Sequence, residues 1–176
     1  MARFMIDLGS GDALVLREAW TVPMLHALIE KNLDRLREWE PWAQGEQTES
    51  GLEAFTIHEL HQWVEGRSLP AAILHDGQVV GSVGARIDPY AGTADVGYWI
   101  DIDAEGRGLV TRATAALIEH LHADLGIRRV EIRAATNNTR SRSVAERLGF
   151  ALEGTLRAAQ VVGDRTNDIA LYALIP

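Results

Sequence analysis

Cysteine is absent from the sequence of 176 residues, which excludes disulfide bonds, thiolate metal sites and a cysteine nucleophile. No apolar run approaches the roughly 20 residues that a membrane-spanning helix needs. The first residues, MARFMIDLGSGD, also lack the charged and then apolar pattern of a signal peptide. We therefore expect a cytoplasmic protein with no membrane partner.

Positive charge is scarce as well. The chain has 17 Lys and Arg residues against 25 Asp and Glu residues, so its formal net charge is −8. Nucleic-acid binding draws its affinity from clustered cations, and we therefore expect no nucleic-acid partner but one that carries an amine or another cationic group. The composition, 47% hydrophobic and 24% charged, is typical of a folded globular protein, and we predict a single domain over residues 1–176.

The first third of the chain is predicted to be mostly helical. ALVLR at 13–17 indicates a short first strand, and a helix with apolar positions from Leu25 to Leu36 follows Pro23. Residues 45–51 are polar enough for a loop, and a second helix carries Leu52, Phe55, Leu60 and Trp63.

The rest of the chain alternates strands and helices. Strands at 69–75 and 78–87 join at Asp76-Gly77, a dipeptide that favours tight hairpins, and a third strand at 93–102 completes an antiparallel meander. The most secure helix spans 108–125, ends before Gly126, and links the third strand to a parallel strand at 130–136. A helix at 140–148 and strands at 150–162 and 166–174 follow. The prediction is an α/β fold with one mixed, mostly antiparallel sheet and flanking helices.

The junction between the third strand and the long helix is the first candidate site. It reads DIDAEGRGLVT at 101–111, and Gly106 and Gly108 would let an anion approach the free N–H groups of the helix start. Arg107, Thr111 and Arg112 could add charge and a hydroxyl, so we predict a pyrophosphate-binding turn. No Lys-Ser/Thr follows the glycines and a third Gly is missing, so the turn is neither a P-loop nor a Rossmann fingerprint.

The order GYWIDI, EGRGLVT, VEIRAAT and NNTRSRSVAERLGFALEGTLR resembles the GNAT superfamily of acetyltransferases, and within it the RimJ/RimL-like group. The resemblance extends across most of the chain. It implies a splayed central pair of parallel strands, acetyl-CoA (CoA) as cofactor, an amine acceptor and a homodimer. By position, it assigns contacts with the pantetheine arm to Ile100 and Ile102, and contacts with the pyrophosphate to Arg107, Gly108, Leu109, Val110, Thr111 and Arg112.

Two residues depart from the family pattern in this turn. Glu105 stands where Gln or Arg is usual, and Val110 stands where Gly or Ala is frequent. A carboxylate beside a pyrophosphate is unfavourable, so we expect Glu105 to face solvent or to pair with a neighbour such as Arg107.

The resemblance also indicates the chemical groups. Asn138 would bond the pantetheine arm, and the Ser141 hydroxyl would lie beside the cofactor sulfur and stabilise or protonate the departing thiolate; the alternative is that Asn138 only caps a helix. Gln160 occupies the position of the family's glutamate and cannot accept a proton as a base. Asp95, which should share a strand face with Trp99, is the leading replacement, unless it is only a solvent-facing charge.

The acceptor is less well defined. Three tryptophans could line an acceptor channel or simply pack in the core, and a nearby acidic group could attract a cationic amine: Trp39, Trp42 and Trp63, with Glu38, Glu40, Glu46 and Glu49. We expect a protein N-terminal α-amine. The alternatives are a small-molecule amine, such as an antibiotic or a polyamine, and a non-catalytic CoA-binding sensor. No metal site is expected.

Overall fold

The computed structural model describes residues 4–176. These residues build one mixed sheet of eight strands in the order β1-β2-β3-β4-β5-β6-β8-β7. The strands are β1 Met5–Gly9, β2 Asp12–Leu16, β3 Ser68–His75, β4 Gln78–Asp88, β5 Thr93–Ile100, β6 Arg129–Ala135, β7 Ala151–Val162 and β8 Arg165–Leu174.

Helices cover both faces of the sheet. They are α1 Val22–Lys31, α2 Leu33–Trp39, α3 Glu49–Val64, α4 Leu109–Ala123 and α5 Thr139–Arg147. Neighbouring residues of a strand point to opposite faces, and accordingly Ile73 packs with Leu117 of α4 while Ala72 packs with Leu25 of α1. The helices α4 and α5 therefore lie on one face, and α1 and α2 on the other. Within residues 4–176, no helix has the length and apolar character needed to span a membrane.

The predicted meander, the long helix and the closing hairpin are confirmed. At the first turn of the meander, Asp76 and Gly77 both have positive φ, 49° and 77°. These are the values that a tight hairpin turn requires. The fold class is therefore the predicted one, an α/β fold with a mixed, mostly antiparallel sheet.

Several predicted boundaries were wrong. The predicted first strand is in fact β2, because β1 precedes it as a mostly exposed edge strand without an apolar run. The first predicted helix is divided at Asn32, which has φ −105° and ψ 11°. The helix α3 begins inside the predicted loop because Thr48 caps it, accepting a hydrogen bond from Gly51 N at 3.1 Å. The third strand of the meander ends at Ile100, and residues 102–104 form a short 3-10 turn.

The central parallel strands separate, as the family resemblance implied. Cα partners between β5 and β6 run only from Thr93 with Arg129 to Asp95 with Glu131. The strand β5 continues to Ile100 and β6 to Ala135. The second half of β5 therefore borders a gap in the sheet, on the side where α4 and α5 begin.

Candidate active site

A glycine-containing turn joins β5 to α4. Gly106 and Gly108 have φ values of 77° and 71°, in the left-handed region that favours glycine. The position that a Cβ of Gly106 would occupy has no heavy atom within 4 Å in the part of the chain that the structure describes, which leaves the backbone open to a ligand. The N–H groups of Leu109, Val110 and Thr111 belong to the first turn of α4 and so have no partner within the helix. This arrangement fits the predicted pyrophosphate.

Arg112 does not have the free backbone N–H that the predicted contact with the pyrophosphate would need. Its N–H donates to Gly108 O at 3.0 Å and is therefore not free for a ligand. Its guanidinium donates to Arg107 O at 2.9 Å and to the carboxylate of Asp12. The Arg112 side chain thus links the backbone of the turn to Asp12 of β2.

Asp12 is the centre of an anchor beneath the turn. It is buried, and His75 Nδ1 donates to its Oδ1 at 2.6 Å. The hydrogen bond from His75, together with that from Arg112, holds the pKa of the Asp12 carboxyl below its ordinary value of 3.8, although burial acts the other way. Arg107 Nη1 in turn donates to His75 Nε2 at 2.9 Å. The hydrogen-bonded series Asp12–His75–Arg107 holds the Arg107 guanidinium beside the glycine turn.

Glu105 has partners other than the one expected. It pairs with Arg35 of α2 and, at 3.2 Å, with Arg140 of α5, while Arg107 is turned towards His75. Two cations therefore offset the carboxylate, which explains how this departure from the family pattern is tolerated. The same contacts connect α2 and α5 to the glycine turn between β5 and α4.

The end of β5 is fastened to the junction of α1 and α2. Asp101 is buried and accepts from Lys31 Nζ at 2.7 Å and from Asn32 Nδ2 at 2.9 Å. Burial alone would raise the pKa of Asp101, but these two bonds lower it. The helix break at Asn32 thus has a function in the fold, because it brings this amide to the strand end.

The two isoleucines predicted to contact the pantetheine arm differ in whether their backbone groups are free to do so. Asp101 N donates to Val80 O of β4 at 2.8 Å, and because bonding alternates along a strand, the backbone of Ile100 is directed to the other side, the gap. The N–H of Ile102 already donates to Asn32 Oδ1 at 3.0 Å. The geometry therefore suits the predicted contact at Ile100 but leaves no free N–H for it at Ile102.

Ser141 lies at the start of α5, across the gap from β5. Its N–H donates to Asn138 Oδ1 at 3.1 Å, so Asn138 does cap the helix. Tyr98 of β5 donates to Ser141 O at 3.0 Å, and its hydroxyl lies 3.2 Å from Ser141 Oγ. Burial raises the pKa of Tyr98 to about 12, so the phenol stays protonated at neutral pH and keeps the hydrogen that it donates to Ser141 O. The sequence reasoning missed Tyr98, although alternation along GYWI already placed it on the face opposite Asp95.

Asp95 is not brought to Ser141. It pairs with Arg86 of β4 at 2.7 Å. It lies on the face of β5 opposite Tyr98, three positions before it in the sequence, which is about 10 Å along a strand. Its role as a base stays a prediction. The ion pair with Arg86 matches the alternative of a structural charge.

The predicted acceptor region lies on the α1 and α2 face. Trp99 packs there with Leu36 and Ala43. Burial raises the pKa of Glu40, whose carboxylate accepts from Trp42 Nε1 at 2.9 Å. Trp42 and Trp63 are 43% and 37% exposed, so neither is a core residue.

Comparison with known proteins identifies the family. Residues 14–151 match the family model described as acetyltransferase (GNAT) domain. The chain is 33% identical over 155 residues to the ribosomal-protein-serine acetyltransferase of Escherichia coli (strain K12), covering 88% of this chain and 87% of that protein.

Two solved structures are similar to this one over nearly their whole length. One is RimL, a ribosomal L7/L12 α-N-protein acetyltransferase in complex with coenzyme A, with a TM-score of 0.95, 26% identity and 98% of each chain covered. The other is the microcin C7 self-immunity acetyltransferase MccE in complex with acetyl-CoA and AMP, with a TM-score of 0.91, 25% identity, and 97% and 96% of the two chains covered.

Proposed function

The chain belongs to the acetyltransferase (GNAT) family and is an acetyl-CoA-dependent N-acetyltransferase; on that premise we propose that its acceptor is the α-amino group of a protein N-terminus, attacked directly in a ternary complex. The observation that carries the proposal is the glycine turn at the start of α4 beside a gap in the sheet that Ser141 borders. The name of the E. coli relative supports a protein acceptor, and the acidic group around Glu40 suits a cationic amine.

The residues at the gap divide the work. Acetyl-CoA supplies an acyl group activated as a thioester. The N–H groups of Leu109, Val110 and Thr111 would hold its pyrophosphate, and the Ile100 backbone would hold the pantetheine arm. A bond would form between the neutral amine nitrogen and the acyl carbon while the carbon–sulfur bond breaks. The nitrogen would give up one proton to water, and Ser141 would donate its proton to the sulfur and regain one from water, so that the serine ends neutral.

Substitution at the Ser141 contact tests this mechanism. Ser141→Ala should lower kcat about 100-fold, the usual effect of losing a general acid, and leave the KM for acetyl-CoA nearly unchanged. Tyr98→Phe should lower kcat by about 3- to 10-fold, because it removes only one hydrogen bond that holds Ser141. Ser143→Ala, elsewhere on α5, is the matched control and should retain wild-type rates. A Ser141→Ala enzyme with full kcat would remove this hydroxyl from the mechanism.

A panel of amines tests the acceptor. A peptide with an N-terminal serine, spermidine and an aminoglycoside should be compared by the rate of CoA release, and the peptide should have the highest kcat/KM. The likeness to MccE makes a small-molecule amine the second candidate. Turnover of spermidine or the aminoglycoside without turnover of the peptide would favour this second candidate. Tight binding of acetyl-CoA without turnover on any amine would instead favour a sensor.

We also infer a cytoplasmic homodimer that consists of a single domain per chain. The ribosomal-protein substrate in the relative's name supports the compartment. The edge strand β7 is exposed at nearly every position, Leu152 and Val161 included, which supports an interface there. Analytical ultracentrifugation should give twice the chain mass, and a monomer at every concentration would contradict the inference.

A further inference from the structure

Two side-chain amides near the tip of the closing hairpin each have a buried atom without a hydrogen-bond partner in the described part of the chain. Gln160 of β7 and Asn167 of β8 are cross-strand partners, so their side chains lie on the same face of the sheet. Gln160 Oε1 and Asn167 Nδ2 are both buried, and neither has a hydrogen-bond partner among residues 4–176. A buried polar atom without a partner costs about 1–3 kcal/mol, so two such atoms on neighbouring strands call for a physical explanation.

An irregularity of β7 positions Gln160. The register shifts between Leu156 and Gln160, and Ala158 adopts a φ of 49°. The Ala158 N–H donates to Asp168 Oδ1 of β8 at 2.8 Å, which holds the bulge in place. Bulges commonly redirect a side chain next to a functional site. Here the bulge brings Gln160 opposite Asn167 at the expense of an unfavourable alanine conformation.

The amide pair lies at the edge of the sheet where the gap opens. Pairing between β6 and β8 ends at Ala135 with Ile169, so residues 160–167 extend past the carboxyl end of β6. That end and the end of β5 lie at the same edge, because the two strands are parallel.

The pair also faces the predicted acceptor side. Tyr172 of β8 packs in the core with α4, so Asn167, five residues away, faces the opposite side, where α2 lies. Arg165 beside it donates to Glu38 O at the end of α2, and α2 therefore covers this part of the hairpin.

The two unpaired atoms are chemically complementary, since one accepts and the other donates a hydrogen bond. A ligand that satisfies both must present an N–H and a C=O group close together, as a peptide group does. A simple alkylamine such as a polyamine offers no carbonyl. We propose that Gln160 and Asn167 form a subsite for the first peptide group of the acceptor; this inference rests on the proposed function and restricts the acceptor to peptides.

The test compares two acceptors that differ in the peptide group. One is a tetrapeptide with an N-terminal serine, and the other is serinol, which keeps the amine and the hydroxymethyl group but lacks the carbonyl and the amide. In the wild type the peptide should have a higher kcat/KM. Gln160→Met and Asn167→Leu, both close in shape to the natural residues, should each reduce the peptide-to-serinol ratio of kcat/KM about tenfold, the usual effect of one lost hydrogen bond.

Two further measurements separate a subsite from a structural role. The KM for acetyl-CoA should stay unchanged in both variants, and the thermal unfolding temperature should not fall, because an apolar group replaces an unpaired polar one. Thr166→Val, at an exposed neighbour on β8, is the control and should keep the wild-type ratio. Should one variant fail to fold, the other decides.

An unchanged ratio in the folded variants would overturn the subsite while leaving the acetyltransferase assignment intact. A wild-type enzyme that binds acetyl-CoA but acetylates no peptide would overturn the proposed acceptor, and the subsite with it.

Discussion

The turn from Asp101 to Arg112 and the hairpin of β7 and β8 hold their polar groups in different ways. At the turn, carboxylates and cations are matched: Asp101 with Lys31, Asp12 with Arg112, and Glu105 with Arg35 and Arg140. At the hairpin, by contrast, Gln160 and Asn167 each retain an atom that has no partner among residues 4–176.

The difference follows from what each region is proposed to bind. A pyrophosphate is the same in every cycle, so backbone N–H groups held by a rigid network suit it. A protein N-terminus has to enter and leave, so groups that gain their partners only from the substrate suit it better. The turn therefore suits the constant ligand proposed for it, and the hairpin suits the proposed variable one.

The largest effect is expected where the turn depends on glycine. Gly108→Val should raise the Kd for acetyl-CoA roughly 100-fold, because a β-branched residue at a φ of 71° costs about 1–3 kcal/mol and its Cβ would lie 3.2 Å from Arg112 Nη1. Calorimetric titration measures it. Gly126→Val carries similar backbone strain at the other end of α4, with a φ of 67°, and should bind acetyl-CoA normally. Equal losses in both variants would mean that only stability had changed.

A smaller effect is expected at the anchor beneath the turn. Asp12→Ala should lower the free energy of unfolding by about 1.5–3 kcal/mol at pH 7, because it removes the carboxylate that accepts hydrogen bonds from His75 and Arg112. Since the pKa of Asp12 is lower in the folded protein than its ordinary value of 3.8, this contribution is present above that pH and is lost as the pH falls through the lower, folded-state value.

Urea unfolding at pH 7 and below pH 3.8 measures the Asp12 contribution. Asp164→Ala, in the exposed turn of the β7–β8 hairpin, is the control and should change the free energy by less than about 0.5 kcal/mol. If both variants lost the same free energy of unfolding, the carboxylate beneath the turn would stabilise the fold no more than one in the hairpin.

The smallest effect is expected at Asp95. Its ion pair with the largely exposed Arg86 and its position on the face of β5 opposite Tyr98 indicate that Asp95→Asn changes kcat by less than about twofold, since exposed pairs contribute ~0–1 kcal/mol. The pH–rate profile should also stay the same. A lost basic limb in that profile would instead assign Asp95 as the base and contradict the division of the site into a turn and a hairpin.

The sequence predicted the glycine turn between β5 and α4 because the determinants of that turn are local. Glycines, a strand end and a helix start are read directly from GYWIDI and EGRGLVT, and backbone N–H groups need no particular side chains. The partners of the turn were not predictable in this way. Asp12, His75 and Asn32 come from distant segments, and no local pattern marks them. The sequence contained Gln160 and Asn167 but no sign that a bulge at Ala158 would align them.

By itself, then, the sequence determined the fold class, the family and the position of the glycine turn before α4, since hydrophobic periodicity, turn residues and helix starts act over a few residues. Only the tertiary structure decided which charges neutralise Glu105, which backbone of the splayed strand faces the gap, and that Tyr98 holds Ser141. It also decided that one atom of each of two hairpin amides has no partner within the described residues. These features depend on which side chains meet across the sheet, and such contacts join residues up to 100 positions apart, as Asp12 and Arg112 do.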